Sequence, residues 1–354
     1  MGSVTGRIFD SDARKFIGGR IEFENGIITD VEKCDCGGDL IVPGFVDVHT
    51  HGRACLDFLT ADADGLERLK KSYAGVGVTT VVPTLASGTL DEMLAATERI
   101  AKAGFRAVHI EGRYLSPSKR GAHNADLIAP LDPAEIMLFK NAAGDMKVHI
   151  TAAYELGNEF FTKAKSLGIT TGLGHSSATF GEADALAKDG LTSFTHLFNA
   201  MTSFHHREGG IPAAALLSDC FCEIICDGFH LAPETVRLVN RIKNENKVVL
   251  ITDSMEGTGC PDGTYSIAGL PVSVSDGKAY TVEGAIAGST LSMPDAVKNY
   301  ASFCGIPYED ALICATKNPA EMLGFGNIGR IAVGCTAEFA VLDDNFDVKD
   351  TVCG

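Results

Sequence analysis

The sequence predicts an α/β fold, a TIM-like (β/α)8 barrel with a small β-sandwich domain formed from both chain termini. Three observations lead there. Eight short apolar runs alternate with helix-length stretches between Val46 and Asp253, the pattern of parallel strands joined by crossover helices. Histidines and carboxylates fall at the ends of several of those runs. Period-2 alternation appears at both ends of the chain, outside the barrel pattern. A doubly wound open sheet is the weaker alternative, because the first run is not followed by the glycine-rich phosphate turn common in such folds.

Residues 1–43 read as short strands and turns. Arg20-Ile21-Glu22-Phe23-Glu24 alternates, Asn25-Gly26 is a hairpin signal, and Ile27-Ile28-Thr29-Asp30-Val31 answers it. Such a unit is too small to stand alone, and residues 328–354, again β in character, are expected to complete it. Residues 44–327 are the barrel. Its strands are placed at Val46–His49, Thr79–Pro83, Ala107–Glu111, Lys147–Thr151, Thr170–His175, Ser193–His196, Cys222–Asp227 and Val248–Asp253. Helices are placed at Asp64–Ala74, Leu90–Ala103, Pro133–Ala142, Glu159–Leu167, Gly181–Lys188, Ile211–Leu217 and Pro233–Ile242. Alternation around Tyr265-Ser266-Ile267 and Pro271-Val272-Ser273-Val274, with Asp276-Gly277 as a turn, predicts a β-hairpin insertion near 262–284. Two further helices follow, Met293–Phe303 and Tyr308–Leu323, the second opened by Pro307.

With 354 residues and 45% hydrophobic content, the chain can bury a large core. A formal charge of −16 argues against nucleic acid or an anionic membrane as partner, but not against a small anion in a pocket, whose field is local. No apolar run approaches a membrane span and no signal-peptide pattern opens the chain, so a cytoplasmic location is expected. The 11 cysteines are odd in number and scattered, which suits reduced thiols. Cys34 and Cys36 read as a solvated loop, and Cys220, Cys222 and Cys226 as core packing, since neither group has zinc-knuckle spacing.

The chemistry gathers at strand ends. His49 and His51 are two apart in a strand, so both project from one side. Glu111, His175, His196 and Asp253 end the third, fifth, sixth and eighth strands. In a closed parallel barrel those ends share one rim, where such folds place their reactive groups. Each residue alone has a plain explanation: Glu111 could cap a helix, His175 could satisfy a turn, His196 could sit bonded in the core. Together they make a nitrogen and oxygen ligand set suited to zinc or a similar divalent transition metal. His109 and His149 lie inside their strands and read as structural or supporting, and Asp47 and Asp227 as orienting residues.

At this point the chain resembles the N-acetylglucosamine-6-phosphate deacetylases of the amidohydrolase superfamily, nearly end to end. The resemblance rests on Pro43-Gly44-Phe45-Val46-Asp47-Val48-His49-Thr50-His51-Gly52, Gly121-Ala122-His123, Gly174-His175-Ser176-Ser177-Ala178 and Thr195-His196-Leu197-Phe198-Asn199-Ala200-Met201. It continues through His206-Arg207-Glu208, Asp227-Gly228-Phe229-His230, Ile251-Thr252-Asp253, Ala287-Gly288-Ser289-Thr290-Leu291 and Asn318-Pro319-Ala320. It implies a principal metal at Glu111, His175 and His196, and a second ion at His49 and His51 bridged by Glu111. Asp253 would be the acid/base, and His123 would steady the oxyanion. The implied substrate is a phosphorylated amino sugar, its phosphate met by Asn199, Ala200, Arg207 and His230. A homodimer is implied too, with His206 or Arg207 reaching a neighbour's site.

Departures from the family pattern touch specificity. Glu111-Gly112-Arg113-Tyr114 stands for the usual Glu-Gly-Pro-Phe, and Arg53-Ala54-Cys55 for a Gly-rich stretch. Arg207-Glu208-Gly209-Gly210 replaces Arg-Glu-Pro-Gly, and Ser254 stands where Ala is common. Arg53 and Arg113 are therefore candidates for reading another sugar epimer or a second anionic group. The competing readings are a deacetylase of another N-acetylhexosamine phosphate or N-acyl substrate, and a silent sugar-phosphate sensor. Loss of Asp253 or a metal ligand would mark the sensor, and all are present.

Overall fold

The computed structural model describes residues Met1–Gly354, apart from the side chain of Leu156. The chain opens with β1 (Gly2–Asp10), β2 (Lys15–Glu24), β3 (Ile27–Lys33) and β4 (Leu40–Pro43). Asn25 (φ 51°) and Gly26 (φ 75°) make the left-handed turn that the β2–β3 hairpin requires. Eight barrel strands and their connections follow. First come β5 (Phe45–Thr50), a small ribbon of β6 (Gly52–Arg53) with β7 (Leu56–Asp57), α1 (Ala63–Ala74), β8 (Val78–Leu85), α2 (Leu90–Lys102) and β9 (Ala107–Ile110). Then come α3 (Pro133–Ala143), β10 (Lys147–Ala152), α4 (Glu159–Ser166), β11 (Thr170–Leu173), α5 (Phe180–Lys188), β12 (Ser193–Phe194) and α6 (Gly210–Leu217). The last of the eight are β13 (Phe221–Ile225) and, after α7 (Pro233–Lys243), β14 (Val248–Ile251).

The barrel strands are neighbours in chain order from β5 and β8 through to β14, all parallel. The two ends of that order meet through individual bonds: Asp253 N–H to His49 O at 2.9 Å, and His51 N–H to Ser254 O at 2.8 Å. The helices obey local rules. Thr89 and Thr179 cap α2 and α5 with reciprocal bonds to Glu92 and Glu182, and Pro133 and Pro233 start α3 and α7. One continuous apolar core joins barrel and helices, including Val46, Ile110, Leu173, Phe194 and Ile224.

The insertion is a three-stranded antiparallel sheet, not a single hairpin: β15 (Gly263–Ile267), β16 (Leu270–Ser275) and β17 (Lys278–Thr281). Its first turn is Ala268-Gly269 (φ 49° and 73°), and alanine is a poor advertisement for a left-handed position. The expected helix Tyr308–Leu323 is broken. After α8 (Met293–Cys304), α9 (Tyr308–Leu312) passes into a 3-10 turn, and α10 (Lys317–Met322) restarts beyond Thr316. Pro319 explains the break, since it lacks an N–H and its ring would strike the carbonyl four residues back; it is tolerated only in a first turn. β18 (Phe339–Leu342) and β19 (Val348–Val352) close the chain.

The two chain ends meet. The sandwich expected from the sequence resolves into one mixed six-stranded sheet of order β19-β18-β4-β1-β2-β3. Ile8, Ile21, Ile28, Ile41, Cys335, Ala337 and Phe339 pack its own apolar cluster. Cys34 and Cys36 are joined as a disulfide with Cα atoms 5.4 Å apart, which corrects the expectation of free thiols there. The loop between β3 and β4 turns tightly enough to bring the two Cα atoms within bridging distance. Among the described residues, no helix is long and apolar enough to cross a membrane.

Candidate active site

The rim residues converge on one carboxylate. Glu111, just past β9, is met by five imidazoles, each through Nε2: His51 and His196 at 3.1 Å, His175 at 3.2 Å, His49 and His123 at 3.4 Å. Asp253 Oδ1 lies 3.2 Å from His51 Nε2 and 3.6 Å from His49 Nε2. Two ligand groups result, His49/His51/Asp253 and Glu111/His175/His196, each with donor atoms within 4.8 Å of one another. Glu111 reaches both: its Oε1 faces His49, His175 and His196, and its Oε2 faces His51.

Backbone strain sharpens this arrangement. His175 (φ 47°), His196 (φ 30°) and Asp253 (φ 49°) all occupy the left-handed region that non-glycine residues avoid. This is why β11, β12 and β14 each end two residues earlier than expected from the sequence: the last side chains turn out of the ladder into the rim. Ser289 N–H holds Asp253 O at 2.7 Å, and a Cβ on Gly288 would fall 2.8 Å from that same oxygen, so glycine is required there.

Hydrogen bonds behind the rings select their tautomers. His175 Nδ1 faces Lys119 O at 2.8 Å, and a carbonyl only accepts, so Nδ1 carries the proton and Nε2 offers its lone pair. His123 is the converse. Ser87 N–H can only donate and points at His123 Nδ1 (3.4 Å), with Ser87 Oγ at 2.9 Å, which leaves the His123 proton on Nε2, beside Glu111. Burial lowers the His123 imidazole below its ordinary value, against the pull of Glu111, and keeps it neutral. His49 Nε2, fully buried, has no hydrogen-bond partner. An unpaired buried nitrogen aimed at two carboxylates is the signature of a cation site.

Burial alone would pull the His51 imidazole down, but the Asp253 and Glu111 carboxylates outweigh it and hold the group at about 9. A cation binding here must displace that proton. The same carboxylates hold the His49 imidazole well above its ordinary value, so binding to the metal-stripped protein is expected to release up to two protons near neutral pH and to tighten at least tenfold per pH unit as pH rises toward 9. Calorimetry in buffers of different ionisation heat counts the protons, and zero release would contradict the assignment. In the metal-free fold, the raised His51 group stabilises fully below its unfolded value near 6.5. That contribution is lost as pH rises through about 9.

Beneath the rim lies a residue the sequence did not single out. Glu223 in β13 is fully buried; its Oε2 sits 3.6 Å from His49 Nδ1, and its Oε1 accepts from Ser193 Oγ at 2.6 Å. Burial pushes its carboxyl up, but His149 and His49 outweigh that and hold it well below the usual range. Its signal was present, an acid inside an apolar strand (Cys222-Glu223-Ile224-Ile225), but was hidden by the end-of-strand residues. Glu223→Gln is expected to weaken ion binding at the His49 group about tenfold or more. Metal analysis after dialysis should show the Glu111/His175/His196 group still loaded. His109, bonded to Thr84 and Thr151 and packed 4.7 Å from the His49 ring, supports the site as expected. Asp47 ties β5 to the end of β14 through Thr252 Oγ1 (2.6 Å), so it orients backbone, not an imidazole.

A cavity of about 340 Å³ opens above, lined by His51, Glu111, His123, His175, His196 and Asp253, with Asn199, Ala200 and His230 among its other walls. Asp227 bonds His230 Nδ1 at 2.7 Å and fixes its ring. The sequence missed the roof: Ile267 and Ala268 of the inserted sheet, with Ala285 and Ile286 just after it. Arg207 is not brought to this cavity. It is exposed on a turn closed by two 3.0 Å bonds between His205 and Glu208, with Phe204 60% exposed beside it. Arg53 and Arg113, the candidates for reading another epimer or a second anionic group, do not line the cavity either. Arg113 is held by Glu135 at 3.0 and 3.1 Å; Arg53 is buried, its guanidinium 5.2 Å from the Tyr73 ring centre.

The amidohydrolase family model matches residues 40–354, which covers every one of these groups. The chain belongs to the amidohydrolase family. It is 31% identical over 347 residues to the N-acetylgalactosamine-6-phosphate deacetylase of Escherichia coli O157:H7, covering 93% of this chain and 92% of that one. The crystal structure of N-acetylglucosamine-6-phosphate deacetylase from Thermotoga maritima superposes with a TM-score of 0.93 at 34% identity, covering 99% and 98% of the two chains. The structure of a mutant Mycobacterium smegmatis N-acetyl-D-glucosamine-6-phosphate deacetylase, in complex with N-acetyl-D-glucosamine-6-phosphate, also reaches 0.93, at 30% identity over 99% and 97%. This amidohydrolase thus shares its whole architecture with enzymes that cleave the acetyl amide of phosphorylated amino sugars.

Proposed function

We propose that this amidohydrolase hydrolyses the N-acetyl group of N-acetylglucosamine 6-phosphate, giving glucosamine 6-phosphate and acetate. The observation that supports it most is Glu111 among five imidazoles with Asp253 opposite. The donor set fits zinc, which prefers imidazole nitrogen and carboxylate oxygen. Glu111, His175 and His196 would hold one ion, and His49 and His51, with Glu111 shared, a second. Bound there, zinc supplies a water acidic enough to ionise near neutral pH and polarises the amide carbonyl.

The protein's own residues do the rest. Burial raises the Asp253 carboxyl, but the His49 charge and the His51 bond outweigh it and keep it ionised. Asp253 therefore takes the proton of the attacking water and returns it to the departing amine nitrogen. His123, neutral with its proton on Nε2, donates to the oxygen of the tetrahedral intermediate. Asn199, Ala200 and His230 line the same cavity and would meet the sugar phosphate. The exposed turn bearing His206 and Arg207 would complete phosphate binding in a partner subunit of a homodimer. Its position away from its own cavity favours that reading. A cytoplasmic setting suits a phosphorylated substrate.

The galactosamine epimer is the second reading, because the E. coli relative bearing that name is as similar as those named for glucosamine. Acetate release should be measured from both phosphorylated epimers and from unphosphorylated N-acetylglucosamine. Preference for the phosphorylated glucosamine compound is expected. Preference for the galactosamine compound would move the substrate and keep the chemistry, and no release from any would refute the proposal.

A further inference from the structure

One thiol pair lies outside the chemistry above. Cys55 Sγ and Cys260 Sγ are 2.8 Å apart although 205 residues separate them in sequence. Cys55 is exposed and Cys260 is half-buried, so small thiol reagents reach both; Cys220, Cys222, Cys226, Cys314 and Cys335 are buried. The two segments are docked by backbone bonds: Ala54 N–H to Thr258 O and Cys55 N–H to Glu256 O, both 2.8 Å. Ala54 (φ 54°), Cys55 (φ 62°) and Gly259 (φ 76°) all hold left-handed conformations that present the sulfurs to each other. A covalent bond needs only about 0.8 Å of further approach.

Their location gives the pair a consequence. The barrel closes where its first and last strands meet through individual hydrogen bonds, not a continuous ladder. His49 and His51 stand on one side of that seam and Asp253 on the other. Ser254 reinforces it from within, bonding Thr50 Oγ1 at 2.7 Å and Gly52 O at 2.9 Å. Cys55 and Cys260 face each other across the same seam, on the loops that leave its two strands. We infer that Cys55 and Cys260 are a reversible disulfide site that staples this seam shut under oxidising conditions.

The chemistry balances with a glutathione-type disulfide as oxidant. Cys260 follows Gly259, which lies against the Arg53 guanidinium, and after losing its proton to solvent its thiolate serves as the nucleophile. That thiolate attacks one sulfur of the oxidant and expels one thiolate. Cys55, losing its proton, then attacks the Cys260 sulfur of the mixed disulfide and expels the second. Two protein thiols are oxidised, and one small disulfide is reduced to two thiols. A cross-link closing so long a loop constrains the unfolded chain strongly.

The full-length protein should be treated with oxidised glutathione, digested without reductant and mapped by mass spectrometry. The expected product is a Cys55–Cys260 cross-linked peptide, lighter than its two parts by two hydrogens and split by dithiothreitol. Tm should rise by roughly 5 °C on oxidation and fall back on reduction. Cys55→Ser and Cys260→Ser should each abolish the cross-link and the shift, while Cys34–Cys36 maps separately. Cys55 and Cys260 recovered free, or each capped by glutathione, would overturn the site. A cross-link that leaves Tm unchanged would overturn its role as a staple. Neither readout depends on the deacetylase reading.

Discussion

Asp253→Asn is expected to lower kcat for acetate release about a thousandfold. Asparagine tolerates the left-handed backbone at this position (φ 49°), so the loop held by Ser289 keeps its course. What is lost is the carboxylate facing His51 at 3.2 Å, the group able to take and return a proton. The Glu111/His175/His196 group does not include Asp253 and should keep its ion. A variant that binds metal yet fails in kcat, with KM little changed, separates proton transfer from binding. Wild-type kcat in this variant would remove Asp253 from the reaction.

Glu111→Gln is the more severe change. Five imidazoles contact this one side chain, and both ligand groups lean on it. An amide keeps the shape but loses the charge that offsets two cations and draws the ring nitrogens together. Metal retained after dialysis is expected to fall to near zero, and acetate release by about four orders of magnitude. The expected failure is in metal content first, which distinguishes it from Asp253→Asn. A dialysed variant with full metal content would show that Glu111 does not hold the site.

The barrel was legible because its strands are apolar runs spaced by capped, amphipathic helices, and because histidines marked the rim. His49, His51, Glu111, His175, His196 and Asp253 could be placed together from strand ends alone. Other parts were hidden for physical reasons. Strand-end positions do not reveal that His175, His196 and Asp253 turn into left-handed backbone, since these are not the residues that usually announce it. Glu223 was masked by its apolar neighbours, and only tertiary packing sets it behind His49. Arg53 and Arg113 read as rim cations, but one is stacked on Tyr73 and the other is committed to Glu135. Pairings across 205 residues, such as Cys55 with Cys260, leave no local trace.

Metal-dependent cleavage of the acetyl amide is tested most directly by one experiment. The purified protein is stripped with a chelator, given N-acetylglucosamine 6-phosphate, and titrated with zinc while acetate is followed. The site described here predicts no release from the stripped protein and recovery that saturates at one or two ions per chain. Undiminished release without metal, or none at any zinc level with the metal bound, would contradict it.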